Sequence, residues 1–124
     1  MPERGEVWLA DLDPHHGTEP GKPALSPPNG TRPVLIVQAQ ALLDAGHPST
    51  LIIPLTTSLV EDAEPLRVRV PRAERLPHES DLLVDQLRAI DNRRLIQGPL
   101  ARLPRALMRR VGDAIRAVLA LDDV

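Results

Sequence analysis

One apolar block constrains the fold of this chain more than any other stretch. Val34, Leu35, Ile36 and Val37 follow one another without a polar interruption. An unbroken run of β-branched and aliphatic residues favours a β-strand, and the absence of alternation indicates that both faces of the strand are covered. The sequence therefore predicts a domain in which this strand is buried on both sides.

An arginine and a proline stand at the start of this strand. Pro33 fixes φ and lacks an N–H, so it suits the first strand position and biases Arg32 toward an extended conformation. The Arg32 guanidinium is permanently charged, and its planar fork of donors matches phosphate geometry. Arg32 is thus a candidate phosphate-binding group, although on the strand alone a solvated arginine after a loop is the commoner case.

The remaining pattern predicts several short strands and one long helix. Strands are expected over residues 4–12, 50–57, 66–70 and 100–103. Residues 80–91 are expected to form either one long strand or a bent pair of strands, with a bend near Asp85 and Gln86. A short helix over 39–45, one helical turn over 92–95 and a final helix opened by Pro104 complete the prediction. The final helix should dock on the sheet through the apolar positions Leu107, Met108, Val111, Ala114, Ile115, Val118 and Leu119.

These elements predict a single α+β domain over residues 1–124, built as a small curled antiparallel barrel or half-barrel with a C-terminal helix. Residues 15–31 are rich in Pro and Gly and are expected to form a long loop. Long loops in small domains usually serve a site, so this loop is expected to contribute to function.

Composition excludes several classes of function. The chain has no cysteine, which excludes disulfide scaffolds, thiolate metal sites and cysteine catalysis. Trp8 is the single aromatic residue, so base stacking on an aromatic platform is not expected. No metal site is expected, since the four histidines, including the adjacent pair His15 and His16, are scattered over predicted loops. Charged residues at the N-terminus and the lack of a membrane-length apolar run predict a cytoplasmic protein with no membrane contact.

The distribution of charge leaves one question open. The formal net charge is -2, which argues against a uniformly basic surface for nucleic acid. Four arginines nevertheless fall close together, namely Arg67, Arg69, Arg72 and Arg75. This cluster is either exposed surface or a patch that contacts phosphate groups.

Five stretches of the chain, in this order, resemble the MazF/PemK mRNA interferases, the toxins of type II toxin–antitoxin pairs. They are residues 4–14 (RGEVWLADLDP), 17–19 (GTE), 32–38 (RPVLIVQ), 53–57 (IPLTT) and 85–91 (DQLRAID). The resemblance implies an SH3-like antiparallel β-barrel with a C-terminal α-helix, assembled as a homodimer. It also implies metal-independent, cofactor-free cleavage of single-stranded RNA at short specific sequences, and inhibition by a cognate antitoxin protein.

The resemblance also implies roles for individual residues. Arg32 matches the family's catalytic arginine, and Thr56 matches its catalytic threonine, with Thr57 as the alternative if the register shifts by one. The remaining matches are expected to bind substrate: Thr18, Glu19, Thr57, Asp85 and Gln86. Asp85 is shorter by one methylene than the glutamate usual in the family, and an insertion over residues 23–29 lengthens the loop before Arg32.

The physical chemistry agrees with these roles. In metal-free RNA cleavage the 2′-hydroxyl attacks its neighbouring phosphate, so the protein supplies charge stabilisation and proton transfer instead of a nucleophile. Arg32 suits the role of stabiliser and proton donor. It does not suit the role of general base, which must be unprotonated at the start, because an arginine is reluctant to lose a proton. The general base therefore stays unassigned, with Glu19 as a candidate.

Two alternatives stand beside the nuclease. CcdB-like proteins share the fold but bind a topoisomerase, and they lack the pairing of Arg-Pro-Val with the threonine that occurs here. The other alternative is a catalytically inactive barrel that serves as a protein-binding module.

Overall fold

The computed structural model describes residues 1–12 and 30–123. Strands β1 and β2 span Glu6–Asp11 and Thr31–Ile36, and helix α1 spans Gln40–Asp44. Strands β3, β4 and β5 span Ser49–Thr56, Arg67–Val70 and Ser80–Leu83. A 3-10 turn over Val84–Gln86 leads to β6 (Arg88–Asp91), and a second over Asn92–Arg94 leads to β7 (Leu95–Arg102). Helix α2 (Arg105–Leu119) follows.

The strands form one antiparallel sheet in the order β4-β5-β3-β2-β1-β7, with β6 paired to β3 beside this path. The predicted antiparallel sheet with a C-terminal helix is confirmed. The sheet is not closed, however: among the described residues no pairing joins β4 to β7, and these strands remain as its two edges. The fold is therefore an open, curled sheet rather than a complete barrel.

Strand β2 separates two hydrophobic clusters. Leu35 and Val37 belong to the cluster that includes α2, whereas Val34 and Ile36 belong to a second cluster that includes Leu43 of α1. Because successive side chains of a strand point to opposite faces, an unbroken apolar run is needed to fill both clusters. The prediction that this strand is covered on both faces is confirmed.

Helix α2 packs on the first cluster through an apolar stripe. Leu107, Val111 and Ala114 are buried, and three further apolar residues, Met108, Ile115 and Val118, pack against the same cluster. The expected contact of Leu119 was wrong, because this residue lies in the last helical turn, beyond the cluster, and is 53% exposed. None of the helices in residues 1–12 and 30–123 is long and apolar enough to cross a membrane.

Most predicted elements are confirmed, including the bend at Asp85 and Gln86, where a 3-10 turn separates β5 from β6. The bounds of β7 differ, because this strand begins at Leu95 although only residues 100–103 were expected to be extended. Gly98 and Pro99 are residues that usually interrupt a β-strand. Instead, β7 pairs with β1 across two register shifts, which allow the strand to continue through these residues.

A close contact joins β1 and β7. A Cβ atom placed on Gly98 would lie 2.8 Å from Cε2 of Trp8 and closer still to Cδ2 of the same ring. The indole is held in place there, since its Nε1 donates a hydrogen bond of 3.0 Å to Oε1 of the buried Glu6. Only a residue without a side chain therefore fits opposite this ring.

Gly98→Ala is expected to lower the free energy of unfolding by roughly 1–3 kcal/mol, because the added methyl group collides with the Trp8 ring. Urea denaturation followed by far-UV circular dichroism measures the change. Gly112→Ala is the matched control: a Cβ on this helical glycine meets nothing within 4 Å, so stability should be unchanged or higher. Equal stability of the Gly98 variant and the wild type would contradict the proposed contact.

Candidate functional site

The start of β2 and the end of β3 lie side by side because these strands are antiparallel neighbours. Val34 pairs with Pro54, so the same register continued by two residues sets Arg32 opposite Thr56. On the other side of β3, Thr56 pairs with Asp81 of β5. The ends of three neighbouring strands, β2, β3 and β5, thus meet on the same side of the sheet.

A cavity of about 190 Å³ opens at this meeting point. Its lining brings together Thr31, Arg32, Pro33, Leu55, Thr56, Thr57 and Ser80. Arg32 is exposed, whereas Thr56 is half-buried. The structure therefore places the two candidate catalytic residues, and the alternative Thr57, at the same small concave surface.

The Thr56 hydroxyl has a defined partner. Its Oγ1 accepts a hydrogen bond of 3.1 Å from the backbone N–H of Ser58. A hydroxyl oxygen accepts and also donates, so the Thr56 proton remains available for an oxygen in the cavity. The cavity can therefore present a permanent cation and a neutral donor to a phosphate group.

Asp85 and Gln86 lie elsewhere. Both are exposed on the 3-10 turn between β5 and β6, and neither lines the cavity of Arg32 and Thr56. Their contact with substrate stays a prediction. Thr18 and Glu19, together with His15 and His16, lie outside the described residues.

An ion-pair cluster lies directly beside the cavity. Asp81, with a side chain 1% exposed, accepts hydrogen bonds from Arg69 Nε at 2.6 Å, from Arg67 Nη1 at 3.2 Å and from the Val60 N–H at 2.9 Å. Burial raises the pKa of Asp81, but the hydrogen bonds from Arg69, Val60 and Arg67 outweigh burial and lower the pKa below its usual value. The carboxylate is thus held in its charged form.

These contacts answer the question about the arginine cluster. Arg67 and Arg69 are half-buried and bonded to Asp81, while Arg72 and Arg75 are exposed in the loop after β4. Arg67 and Arg69 also line a second cavity, of about 480 Å³, together with residues 60–64, Asp81 and Arg110. Its walls carry acidic as well as basic groups, so the four arginines do not act as one basic patch.

Asp81 was missed as a residue of interest. A carboxylate followed by two apolar residues in β5, and two arginines alternating in β4, were both visible in the sequence. Their pairing depends on the register that sets Arg69 opposite Asp81. Within residues 1–12 and 30–123, no group of three or more His, Cys, Asp or Glu is placed to hold a metal ion.

Comparison with known proteins found a protein family whose model matches most of this chain. Residues 3–119 match the family model described as the PemK-like, MazF-like toxin of type II toxin–antitoxin systems. The endoribonuclease EndoA of Bacillus subtilis is 32% identical over 98% of this chain and 97% of its own length. The endoribonuclease MazF of Staphylococcus saprophyticus is 31% identical over 100% of this chain and 96% of its own length.

Solved structures show the same fold. An endoribonuclease in complex with its cognate antitoxin, from a mycobacterial species, superposes with a TM-score of 0.71 at 22% identity, covering 98% of this chain and 97% of that one. A MazE-MazF structure from Deinococcus radiodurans gives a TM-score of 0.70 at 20% identity, covering 96% of each chain. At these identities the likeness concerns the fold alone.

Proposed function

This chain belongs to the PemK-like, MazF-like toxin family of type II toxin–antitoxin systems, and we propose that it cleaves single-stranded RNA, including mRNA, at short specific sequences without a metal ion. It is an endoribonuclease toxin, the activity carried by two relatives that match nearly its whole length.

One observation carries the proposed chemistry. Arg32 and Thr56, which come from different strands, line the same cavity of about 190 Å³. Arg32 is the second residue of a strand whose later residues are buried on both faces, so its backbone is held by the core. A guanidinium and a hydroxyl on rigid backbone suit a phosphate whose charge grows in the transition state.

The proposed reaction is an internal transfer within the RNA. The 2′-oxygen forms a bond to the adjacent phosphorus, and the bond from phosphorus to the 5′-oxygen of the next nucleotide breaks. The 2′-hydroxyl loses its proton and the 5′-oxygen gains one, which leaves a 2′,3′-cyclic phosphate and a 5′-hydroxyl. The attacking group belongs to the substrate, so the protein needs to position it and to stabilise charge.

Arg32 and Thr56 divide this task. The Arg32 guanidinium donates hydrogen bonds to the non-bridging phosphate oxygens and acts as the proton donor to the leaving 5′-oxygen. The Thr56 hydroxyl, whose oxygen accepts the Ser58 N–H, donates to a second phosphate oxygen. The general base stays unassigned, with Glu19 as its candidate.

Substrate selection and assembly complete the proposal. Thr18, Glu19, Thr57, Asp85 and Gln86 contact the RNA on either side of the cleaved bond. The protein acts in the cytoplasm as a homodimer. A cognate antitoxin restrains it, through a disordered segment that folds along the dimer surface and covers the cavity of Arg32 and Thr56.

The alternatives are not favoured. A CcdB-like topoisomerase-binding toxin needs no paired arginine and threonine, and both curated relatives are endoribonucleases. The same relatives weigh against an inactive protein-binding barrel.

Incubating purified protein with a long single-stranded RNA and mapping the product ends tests the proposal. Cuts at one short recurring sequence support it, and intact RNA contradicts it.

We expect the cleavage rate to be the same in excess EDTA and in Mg²⁺, because the attacking hydroxyl belongs to the RNA and the Arg32 guanidinium supplies the positive charge. The rate is measured on one RNA oligonucleotide at constant ionic strength, since salt alone changes RNA binding. Loss of activity in EDTA that returns with a divalent ion would indicate a different catalytic class.

A further inference from the structure

The segment that follows Thr56 is tied to the ion-pair cluster of β4 and β5. Arg67 Nη1 donates a hydrogen bond of 2.7 Å to the Ser58 carbonyl oxygen and one of 3.2 Å to Asp81 Oδ2. The N–H of the same Ser58 donates to Thr56 Oγ1. Ser58 is therefore joined to the ion pair of Arg67 with Asp81 through its carbonyl oxygen, and to the Thr56 hydroxyl through its N–H.

A second contact holds the same segment. The Val60 N–H donates to Asp81 Oδ2 at 2.9 Å. Asp81 also faces Thr56 directly in the pairing of β3 with β5. The backbone from Thr56 to Val60 thus folds over a single buried carboxylate, which fixes it by way of Arg67 at Ser58 and directly at Val60.

From these contacts we propose that Arg67, oriented by Asp81, is a positioning residue that holds the Thr56 hydroxyl in the direction needed for catalysis. The inference rests on the proposed function, because it assumes that Thr56 donates to the cleaved phosphate. It goes further in assigning a role to two residues outside the cavity. Neither Arg67 nor Asp81 lines the surface formed by Arg32 and Thr56.

The physical reason lies in the freedom of a threonine hydroxyl. A half-buried threonine at a strand end has several rotamers to choose from, and a hydrogen bond to Oγ1 selects one only if its donor is itself fixed. Ser58 is in an exposed loop, so its N–H is fixed by the bond that Arg67 makes to its carbonyl. Buried Asp81 in turn fixes Arg67, since the charged carboxylate must stay paired.

Arg69 provides a matched control for this proposal. It lies in the same strand as Arg67, carries the same charge and binds the same carboxylate, with 2.6 Å between its Nε and Asp81 Oδ1. Its other hydrogen bonds go to Glu61 and to the Val60 carbonyl, and none goes to Ser58. Loss of Arg69 therefore disturbs the ion pair while leaving the link to Thr56 in place.

The test compares Arg67→Met with Arg69→Met on an RNA oligonucleotide that carries one mapped cleavage sequence, after circular dichroism has shown both to be folded. We expect Arg67→Met to lower kcat by about 10- to 100-fold with KM unchanged, because a displaced donor weakens the transition state rather than binding. Arg69→Met should keep kcat within about threefold of the wild type. Arg67→Lys, which retains one donor for the Ser58 carbonyl, should recover part of the loss.

A double-mutant cycle distinguishes positioning of Thr56 by Arg67 from a general disturbance of the structure. In protein that already carries Thr56→Val, Arg67→Met should cause almost no further loss of kcat, because the hydroxyl that it positions is absent. Losses that multiply would overturn the proposal, as would an equal effect of Arg69→Met. A raised KM with unchanged kcat would show instead that Arg67 binds RNA. If Arg67→Met does not fold, the same comparisons are made with Arg67→Gln, which also lacks the charge and is too short to keep both hydrogen bonds.

Nuclear magnetic resonance tests the inference without reference to activity. Three-bond couplings from the Thr56 methyl carbon report its rotamer in the purified protein. They should indicate one rotamer in wild type and in Arg69→Met, and averaging in Arg67→Met. Unchanged couplings in Arg67→Met would overturn the inference. If wild-type protein cuts no RNA, the proposed function fails, and the couplings still decide whether Arg67 positions Thr56.

Discussion

Replacing Arg32 by alanine is expected to lower the rate of RNA cleavage by at least about 100-fold, with no loss of folded structure. The guanidinium is the one permanent cation lining the cavity within the described residues, so its removal leaves the growing charge on the phosphate without a cationic partner. The side chain is exposed, and truncating an exposed side chain usually changes stability by no more than about 0.5 kcal/mol. Single-turnover cleavage, with circular dichroism as the check on folding, measures both quantities.

Two further variants make this result specific. Arg109→Ala removes an equally charged and exposed arginine from helix α2 and should leave cleavage unchanged. Arg32→Lys keeps the charge but loses the planar fork, so an intermediate rate is expected. Wild-type activity in a folded Arg32→Ala protein would remove Arg32 from the mechanism. An equal loss in Arg109→Ala would show that overall charge, rather than position, controls the rate.

Thr56→Val is expected to lower kcat by about 100-fold, because valine preserves the shape of threonine but has no donor for the phosphate. The same substitution removes the acceptor of the Ser58 N–H, which lies in an exposed loop where water can replace it. KM should change little, since the lost hydrogen bond forms mainly in the transition state. Steady-state kinetics on a short RNA with one cleavage sequence separates the two constants.

Variants of the neighbouring Thr57 test whether Thr56, and not Thr57, is the catalytic threonine. Both threonines line the cavity, but the continued register of β2 and β3 sets Arg32 opposite Thr56. Thr57→Val should therefore retain most of kcat, and Thr56→Ser, which keeps the hydroxyl, should retain more than Thr56→Val. A larger loss in Thr57→Val than in Thr56→Val would transfer the role to Thr57.

The residues that define the cavity are predictable from the sequence because local rules fix them. Pro33 was predicted to be the first residue of β2 and is its third, because pairing with β1 extends the strand back to Thr31. The apolar run still predicts the burial of the strand, so the neighbours of Arg32 in the chain are enough to place it near the strand's beginning. The hydroxyl residues that end the apolar run of β3 place Thr56 and Thr57 in the same way. The resemblance to a toxin family then joins the two strand ends in one site.

The cluster around Asp81 is not predictable in this way, since it depends on pairing between distant parts of the chain. The length and shape of the loop between β4 and β5 decide which residue faces Arg69, and no local pattern gives that register. The long β7 was missed for a related reason. Gly98 and Pro99 oppose a strand locally, but pairing with β1 stabilises the extended conformation.

Because Trp8 contacts Gly98, this protein has an intrinsic fluorescent probe between β1 and β7. The chain contains one Trp and neither Tyr nor Phe, so all of its intrinsic fluorescence comes from a single indole. That indole bridges β1 and β7, with its N–H bound to the buried Glu6. The emission maximum therefore reports on the surroundings of Trp8 between these two strands, and an antitoxin or RNA that changes those surroundings becomes visible without any added label.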